Sequence, residues 1–215
     1  MRYFYKNLSL EIPETVYYPR EDSELLALVL EQQNLHGKKA LDMGCGSGLL
    51  SIVMAGKGAD VTAADINEEA VKAAEKNAIA NRVKIQAVKS DIFSAIRGKF
   101  DIIAFNAPYL PEDIDLDVVA KIRNEDPSGL RDTNIARQWN GGPTGREVIE
   151  KFAENANKFL KYQGKIILGI SSITNEAKTL QLFESLGFHA KAVLREKIPW
   201  EELIAIEIHG TSDKS

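Results

Sequence analysis

The tetrapeptide Asn106-Ala107-Pro108-Tyr109 closes an apolar run, Phe100 to Phe105, and its residue types suit one kind of reaction. A side-chain amide, or an exocyclic amine on an aromatic ring, delocalises its nitrogen lone pair and is a poor nucleophile. Two acceptors, the Asn106 side-chain carbonyl and the Ala107 backbone carbonyl, can hold both NH2 hydrogens and aim the nitrogen in line with an electrophilic methyl group. Tyr109 can stack on the planar group that carries the nitrogen. No general base with a shifted pKa is needed, because the proton can leave once the nitrogen is cationic. Pro108 also makes a rigid strand-end turn, which is a structural reason for the same residues.

Three other polar signals sit at the ends of apolar runs. Ala40-Leu41-Asp42-Met43 leads into Gly44, Gly46 and Gly48, a turn that lets a ligand approach bare backbone and the N-terminus of the following helix. Position 49, where a dinucleotide-binding pattern has its third glycine, is Leu. Asp65 follows Gly48 by 17 residues and is placed to accept hydrogen bonds from vicinal ribose hydroxyls. Asp91-Ile92 can clamp an adenine between a polar edge contact and an apolar face. Ligands of open parallel sheets sit beyond the carboxyl ends of the strands, and these signals fall at four successive strand ends.

Those strands must be built by the rest of the chain. Its 215 residues, 44% hydrophobic and 27% charged, suffice for one α/β domain with a full core. Val16 to Arg20 reads as extended, Pro19 holding its predecessor out of the helical region. Asp22 or Ser23 then caps a helix bearing Leu25, Leu26, Val29 and Leu30. Beyond the glycine turn come helix 49–56, strand 60–65, helix 67–81 and strands 83–88 and 100–105. Residues 110–143 form a long loop. Thr144-Gly145-Arg146-Glu147 is a capping box opening a helix through Val148, Phe152, Ala156 and Phe159. Strand 165–170, helix 176–186 and strands 190–195 and 203–208 complete the chain. The pattern predicts an α/β fold with a mostly parallel, Rossmann-like sheet and one antiparallel strand.

Composition narrows the function classes. A net charge of -4 does not suggest a broad nucleic-acid-binding face. The single cysteine, Cys45, reads as a small tolerated residue, and the histidines at 36, 189 and 209 are scattered, so no metal site is expected. No apolar run approaches a membrane span and the first residues do not resemble a signal peptide, which makes a cytoplasmic location the expectation.

With these motifs in hand, the chain resembles the class I S-adenosylmethionine-dependent methyltransferases that modify planar nitrogens. Residues 16–23 and 141–147 narrow the resemblance to the HemK-like protein-glutamine methyltransferases, archaeal and eukaryotic branch. It implies a seven-stranded sheet in a single domain, 1–215. Residues 1–30 would form an extended segment and helix over the cofactor site, and 110–143 a substrate-side loop. It implies S-adenosyl-L-methionine as cofactor, held by Ser23, Asp42, Gly44, Gly46, Gly48, Asp65, Asp91, Ile92 and Asn106, with Asn106, Ala107, Pro108 and Tyr109 as the catalytic element. The implied substrate is the glutamine of a Gly-Gly-Gln loop in a translation release factor. A small zinc-binding activator protein is the implied partner, and the edge strand near Lys84–Lys89 is the surface read as receiving it. Ala107 departs from the family, which usually has Pro there, but its carbonyl survives. The same clamp fits an exocyclic amine of adenine or guanine in DNA or RNA. A cofactor-binding scaffold without catalysis and a nicotinamide oxidoreductase are the other readings, the last disfavoured by Leu49.

Overall fold

The computed structural model describes residues 1–113, 115, 139–199 and 201–210. Strands β1 (Arg2–Tyr5) and β2 (Leu8–Glu11) form a hairpin, followed by helix α1 (Glu21–Glu31). Then come β3 (Lys39–Met43), α2 (Leu49–Gly56), β4 (Asp60–Asp65), α3 (Glu68–Ala80), β5 (Gln86–Lys89) and β6 (Phe100–Asn106). Helix α4 (Glu147–Ala156), β7 (Leu160–Ser171), α5 (Glu176–Ser185), β8 (Phe188–Ile198) and β9 (Glu201–Gly210) follow.

Strands β3 to β9 make one sheet in the order β5-β4-β3-β6-β7-β9-β8. The first five are parallel to their neighbours, and β9 runs antiparallel to both β7 and β8. This is the mostly parallel sheet with one antiparallel strand that the sequence predicts. The central strands are continuous apolar runs because both faces are covered. Ala40, Ile102, Ala104 and Ile167 pack toward a core shared with α1, α2 and α3, while Leu41, Met43, Ile103, Phe105 and Ile166 pack toward α4 and α5. The chain reverses its winding direction between β3 and β6, which places a crevice at their carboxyl ends.

Several boundaries differ from expectation. The extended N-terminal segment contains a hairpin whose turn uses Lys6 at a φ of 51° in place of the glycine that usually signals one. Neither Asp22 nor Ser23 caps α1; both lie inside its first turn, and Arg20 occupies the cap position, where its side chain makes no capping hydrogen bond. The edge strand is shorter than expected and begins at Gln86. The capping box is only half made. Glu147 reaches back to the Thr144 backbone N–H at 3.0 Å, but the Thr144 hydroxyl also donates to Glu147, and the Glu147 N–H goes to the Gly141 carbonyl. Helix α4 accordingly starts at Glu147, with Ile149 rather than Val148 fully buried. Most of the expected 110–143 loop lies outside the described residues.

The hairpin is held by two asparagines four residues apart, Asn77 on α3 and Asn81 at its C-terminal cap. Asn81 accepts from the Ser9 N–H at 3.1 Å and donates to the Ser9 carbonyl at 2.8 Å. Asn77 does the same with Glu11, at 2.8 and 3.0 Å, and donates its other hydrogen to the Ser47 carbonyl at 2.9 Å. The two amides serve β2 as a substitute strand edge. Asn77→Ala leaves a buried carbonyl of Ser47 and two partly buried backbone groups of Glu11 without their partner, and is expected to lower unfolding stability by about 2 kcal/mol in denaturant titration.

Candidate active site

The carboxyl ends of β3, β4 and β6 and the turn after β5 open onto one cavity of about 660 Å³, the size of a small-molecule site. It gathers nearly every residue singled out in the sequence: Ser23, Asp42, Gly44, Gly46, Asp65, Asp91, Ile92 and residues 106–109. Gly48 is the exception. It caps α2 in a left-handed conformation, and a Cβ there would lie 2.9 Å from the Ala74 Cα, so its role is to let α2 approach α3.

Asp65 locks the glycine turn. Its two oxygens accept from the Gly46 N–H at 2.9 Å and the Asn67 N–H at 2.8 Å, and burial raises its pKa. Each oxygen keeps a lone pair for a ligand hydroxyl. Asp42 is almost wholly buried. One oxygen accepts from the Ser51 N–H at 2.8 Å and the Ser51 hydroxyl at 2.6 Å, and the other has no partner. Burial pushes the Asp42 pKa up to about 7 against the opposing Ser51 hydrogen bonds. Cys45 is also buried, and burial keeps its thiol protonated, in keeping with the reading of a tolerated small residue.

Asp91 is half-exposed and pairs with Lys151 at 2.9 Å. Beside it Ile92 has a φ of 47°, a strained conformation for a β-branched residue. Ser90 holds it there: its hydroxyl donates to the Ile92 carbonyl at 2.7 Å and accepts from the Ala95 N–H at 3.0 Å.

Asn106 donates from Nδ2 to the Ser23 hydroxyl at 3.3 Å, and its buried Oδ1 has no partner. Gly169, in register on β7, leaves room for it, since a Cβ there would lie 3.0 Å from Oδ1. The next residues are braced from the far side of the long loop. Leu110 N–H bonds the Trp139 carbonyl at 2.8 Å, and Gly141 N–H bonds the Leu110 carbonyl at 2.9 Å. A Cβ on Gly141 would lie 2.7 Å from the Pro108 carbonyl oxygen, and one on Gly145 would lie 2.5 Å from that of Tyr109. Only glycine permits this backbone-to-backbone packing. The three glycines among residues 141–145 were its signal. Trp139, Lys151, Tyr17 and Asp22 also line the cavity and were not expected among the site residues.

The donor set fits a cationic nucleoside cofactor. An unpartnered buried carboxylate oxygen suits a positive group, and a second carboxylate with spare lone pairs suits a ribose diol. The unpartnered amide oxygen of Asn106 suits an N–H donor.

Comparison with known proteins agrees. Residues 21–133 match the family model described as methyltransferase small domain. A Methanocaldococcus jannaschii protein named as a protein N5-glutamine methyltransferase is 37% identical, over 94% of this chain and 95% of its own length. The release factor glutamine methyltransferase of Streptococcus pneumoniae is 34% identical over 76% of this chain, which spans 57% of that longer protein. Among solved structures, the Mtq2-Trm112 complex of E. cuniculi, described as responsible for methylation of the eRF1 termination factor, aligns with a TM-score of 0.67. That alignment covers 92% of this chain and 99% of the other at 22% identity, and supports the fold alone. Fold, cavity and relatives agree: the chain belongs to the HemK-like protein-glutamine N-methyltransferases, enzymes that use S-adenosylmethionine.

Proposed function

We propose that this enzyme methylates the side-chain amide nitrogen of the glutamine in the Gly-Gly-Gln motif of a translation release factor, working in the cytoplasm. The observation that carries the reading is the Asn106 amide oxygen, buried and unpartnered in the wall of the cavity that Asp42 and Asp65 also line. S-adenosylmethionine, when bound, supplies an electrophilic methyl group on a sulfonium centre. Asp65 takes the ribose hydroxyls, the Asp91-Ile92 turn takes the adenine, and Asp42 faces the cationic amino-acid portion. The Asn106 and Ala107 carbonyls accept the two amide hydrogens, and Tyr109 covers the amide plane. The chain would act as one domain, with the hairpin and α1 over the cofactor and residues 110–143 toward the substrate.

Mass spectrometry of a recombinant release factor, after incubation with enzyme and cofactor, should show one added methyl on that glutamine. The acceptors fit an exocyclic amine of a nucleobase equally well, so DNA and RNA belong in the same panel. Methyl transfer to nucleic acid only would sink the protein-substrate reading. Asp65→Ala removes the ribose acceptors and the lock on Gly46, and is expected to raise the cofactor Kd by roughly 30-fold in calorimetry while kcat at saturation changes severalfold at most.

The exposed edge strand β5 is the proposed seat of a small zinc-binding activator, received by strand addition. Its flanking lysines fit the simpler job of guarding an edge against aggregation. Full activity of a soluble monomer without any partner would exclude the activator.

A further inference from the structure

The hydrogen bonds behind Asn106 assign a positioning role to Asp22, which the sequence marked only as a helix-cap candidate. We propose that Asp22 fixes, through Ser23, which way round the Asn106 amide sits, and thereby reserves its oxygen for the substrate. This rests on the reading of Asn106 as the acceptor of the substrate amide.

An asparagine amide is nearly symmetric in shape, and a half-turn about its terminal bond exchanges a donor for an acceptor. Only one orientation serves the reaction, because the substrate NH2 needs an oxygen. The choice is made by polarity, starting from a carboxylate. Asp22 is buried in the first turn of α1. Its Oδ2 accepts from the Tyr17 hydroxyl at 2.9 Å, and its Oδ1 accepts from the Ser23 N–H at 2.6 Å and the Ser23 hydroxyl at 3.2 Å. A carboxylate offers only acceptors, so the Ser23 hydroxyl proton is committed to Asp22. What Ser23 turns toward Asn106 is then a lone pair. Asn106 meets it with Nδ2 at 3.3 Å, and Oδ1 is left over. The opposite orientation would set an amide oxygen against a hydroxyl lone pair and lose a buried hydrogen bond, an imbalance worth about ten- to a hundredfold in population.

This changes the expected role of Ser23. The resemblance implies a cofactor contact, but in this arrangement the Ser23 hydroxyl has one hydrogen and spends it on Asp22. Its loss should therefore slow transfer more than it weakens cofactor binding. Tyr17 steadies the other carboxylate oxygen and contributes less.

The test measures kcat with a saturating release-factor substrate, the Kd of S-adenosylhomocysteine by calorimetry, and the melting temperature, for D22N, S23A, S23T, Y17F and N106A. In D22N an amide replaces the carboxylate at nearly the same volume and no longer dictates the Ser23 proton. D22N and S23A should lose roughly 10- to 100-fold in kcat with Kd within about threefold of the parent. S23T keeps the hydroxyl and should hold kcat within about threefold, and Y17F should lose about threefold. The double variant D22N/N106A should be no slower than N106A, since both remove the same oriented acceptor. Parent-like kcat in D22N, or a Kd that weakens in step with kcat, overturns the relay. Should D22N fail to fold, S23A against S23T decides by the same criterion. If N106A itself keeps full activity, the reading of Asn106 fails; if N106A is inactive while D22N and S23A are not, the relay alone fails.

Discussion

Replacing Asn106 by alanine should reduce kcat by about 10³-fold while raising the cofactor Kd no more than about tenfold. The size follows from what the side chain supplies. An amide nitrogen attacks only when its lone pair points along the methyl-transfer axis, and holding that geometry replaces an improbable encounter with a prearranged one. The Asn106 oxygen is buried beside Gly169 and carries no other hydrogen bond; on the proposed reading this preorganises it for a donor that develops positive charge as the nitrogen attacks. The Ala107 carbonyl remains in the variant and keeps one of the two amide hydrogens, which is why some transfer should persist. On the proposed reading, cofactor binding depends mainly on the other walls of the cavity, formed by β3, β4 and the turn after β5. Single-turnover transfer of a labelled methyl group, set beside calorimetry with S-adenosylhomocysteine, separates the two steps. Equal and modest losses in both would contradict the division of roles.

The same residues show what a sequence can and cannot reveal. Asp42, Asp65, Asp91 and Asn106 were legible because each lies within two residues of the end of a strand, and a parallel sheet delivers its strand ends to one edge of the molecule. Gly48 was legible as a glycine but not in its task. Whether a glycine meets a ligand or a neighbouring helix depends on Ala74, 26 residues further along the chain. Residues 139–145 carry a visible run of glycines, yet the backbone they brace, at Pro108 to Leu110, lies across the long loop, and no local periodicity encodes that pairing. The N-terminal hairpin was missed because Lys6-Asn7 lacks the glycine of a usual two-residue turn. Its stability comes instead from Asn77 and Asn81, far away in sequence. Asp22 looked like a helix cap because a cap and a relay both need a small acid just after Pro19. Only the positions of Tyr17 and Ser23 distinguish them.

Asp42 yields the second large effect, in the dependence of cofactor affinity on pH. Its folded pKa, about 7, stands some three units above the roughly 3.9 of an unfolded aspartate. The folded, ligand-free enzyme therefore binds this proton more tightly than the unfolded chain does. The stability linked to it is fully present below about pH 4 and is lost as pH rises through 7, a difference on the order of 4 kcal/mol. A cation beside the unpartnered oxygen reverses the preference, because it favours the carboxylate over the acid. Binding the cofactor should then expel a proton below pH 7, and the association constant should climb toward tenfold per pH unit between about pH 5.5 and 7. That window lies below the range where an α-amino group titrates, roughly 7.7–8.0. Burial raises Asp65 in the same direction, so the assignment needs Asp42→Asn. This variant keeps an acceptor for Ser51 but cannot ionise. It should bind the cofactor about 100-fold more weakly at pH 7.5, flatten most of the slope, and lose less stability between pH 5 and 7 than the parent. Calorimetry in buffers of different ionisation enthalpy counts the released proton directly. A pH-independent affinity in the parent would show that the cofactor's positive charge does not meet Asp42, and the wall formed by the glycine turn would then serve to exclude water rather than to neutralise its ligand.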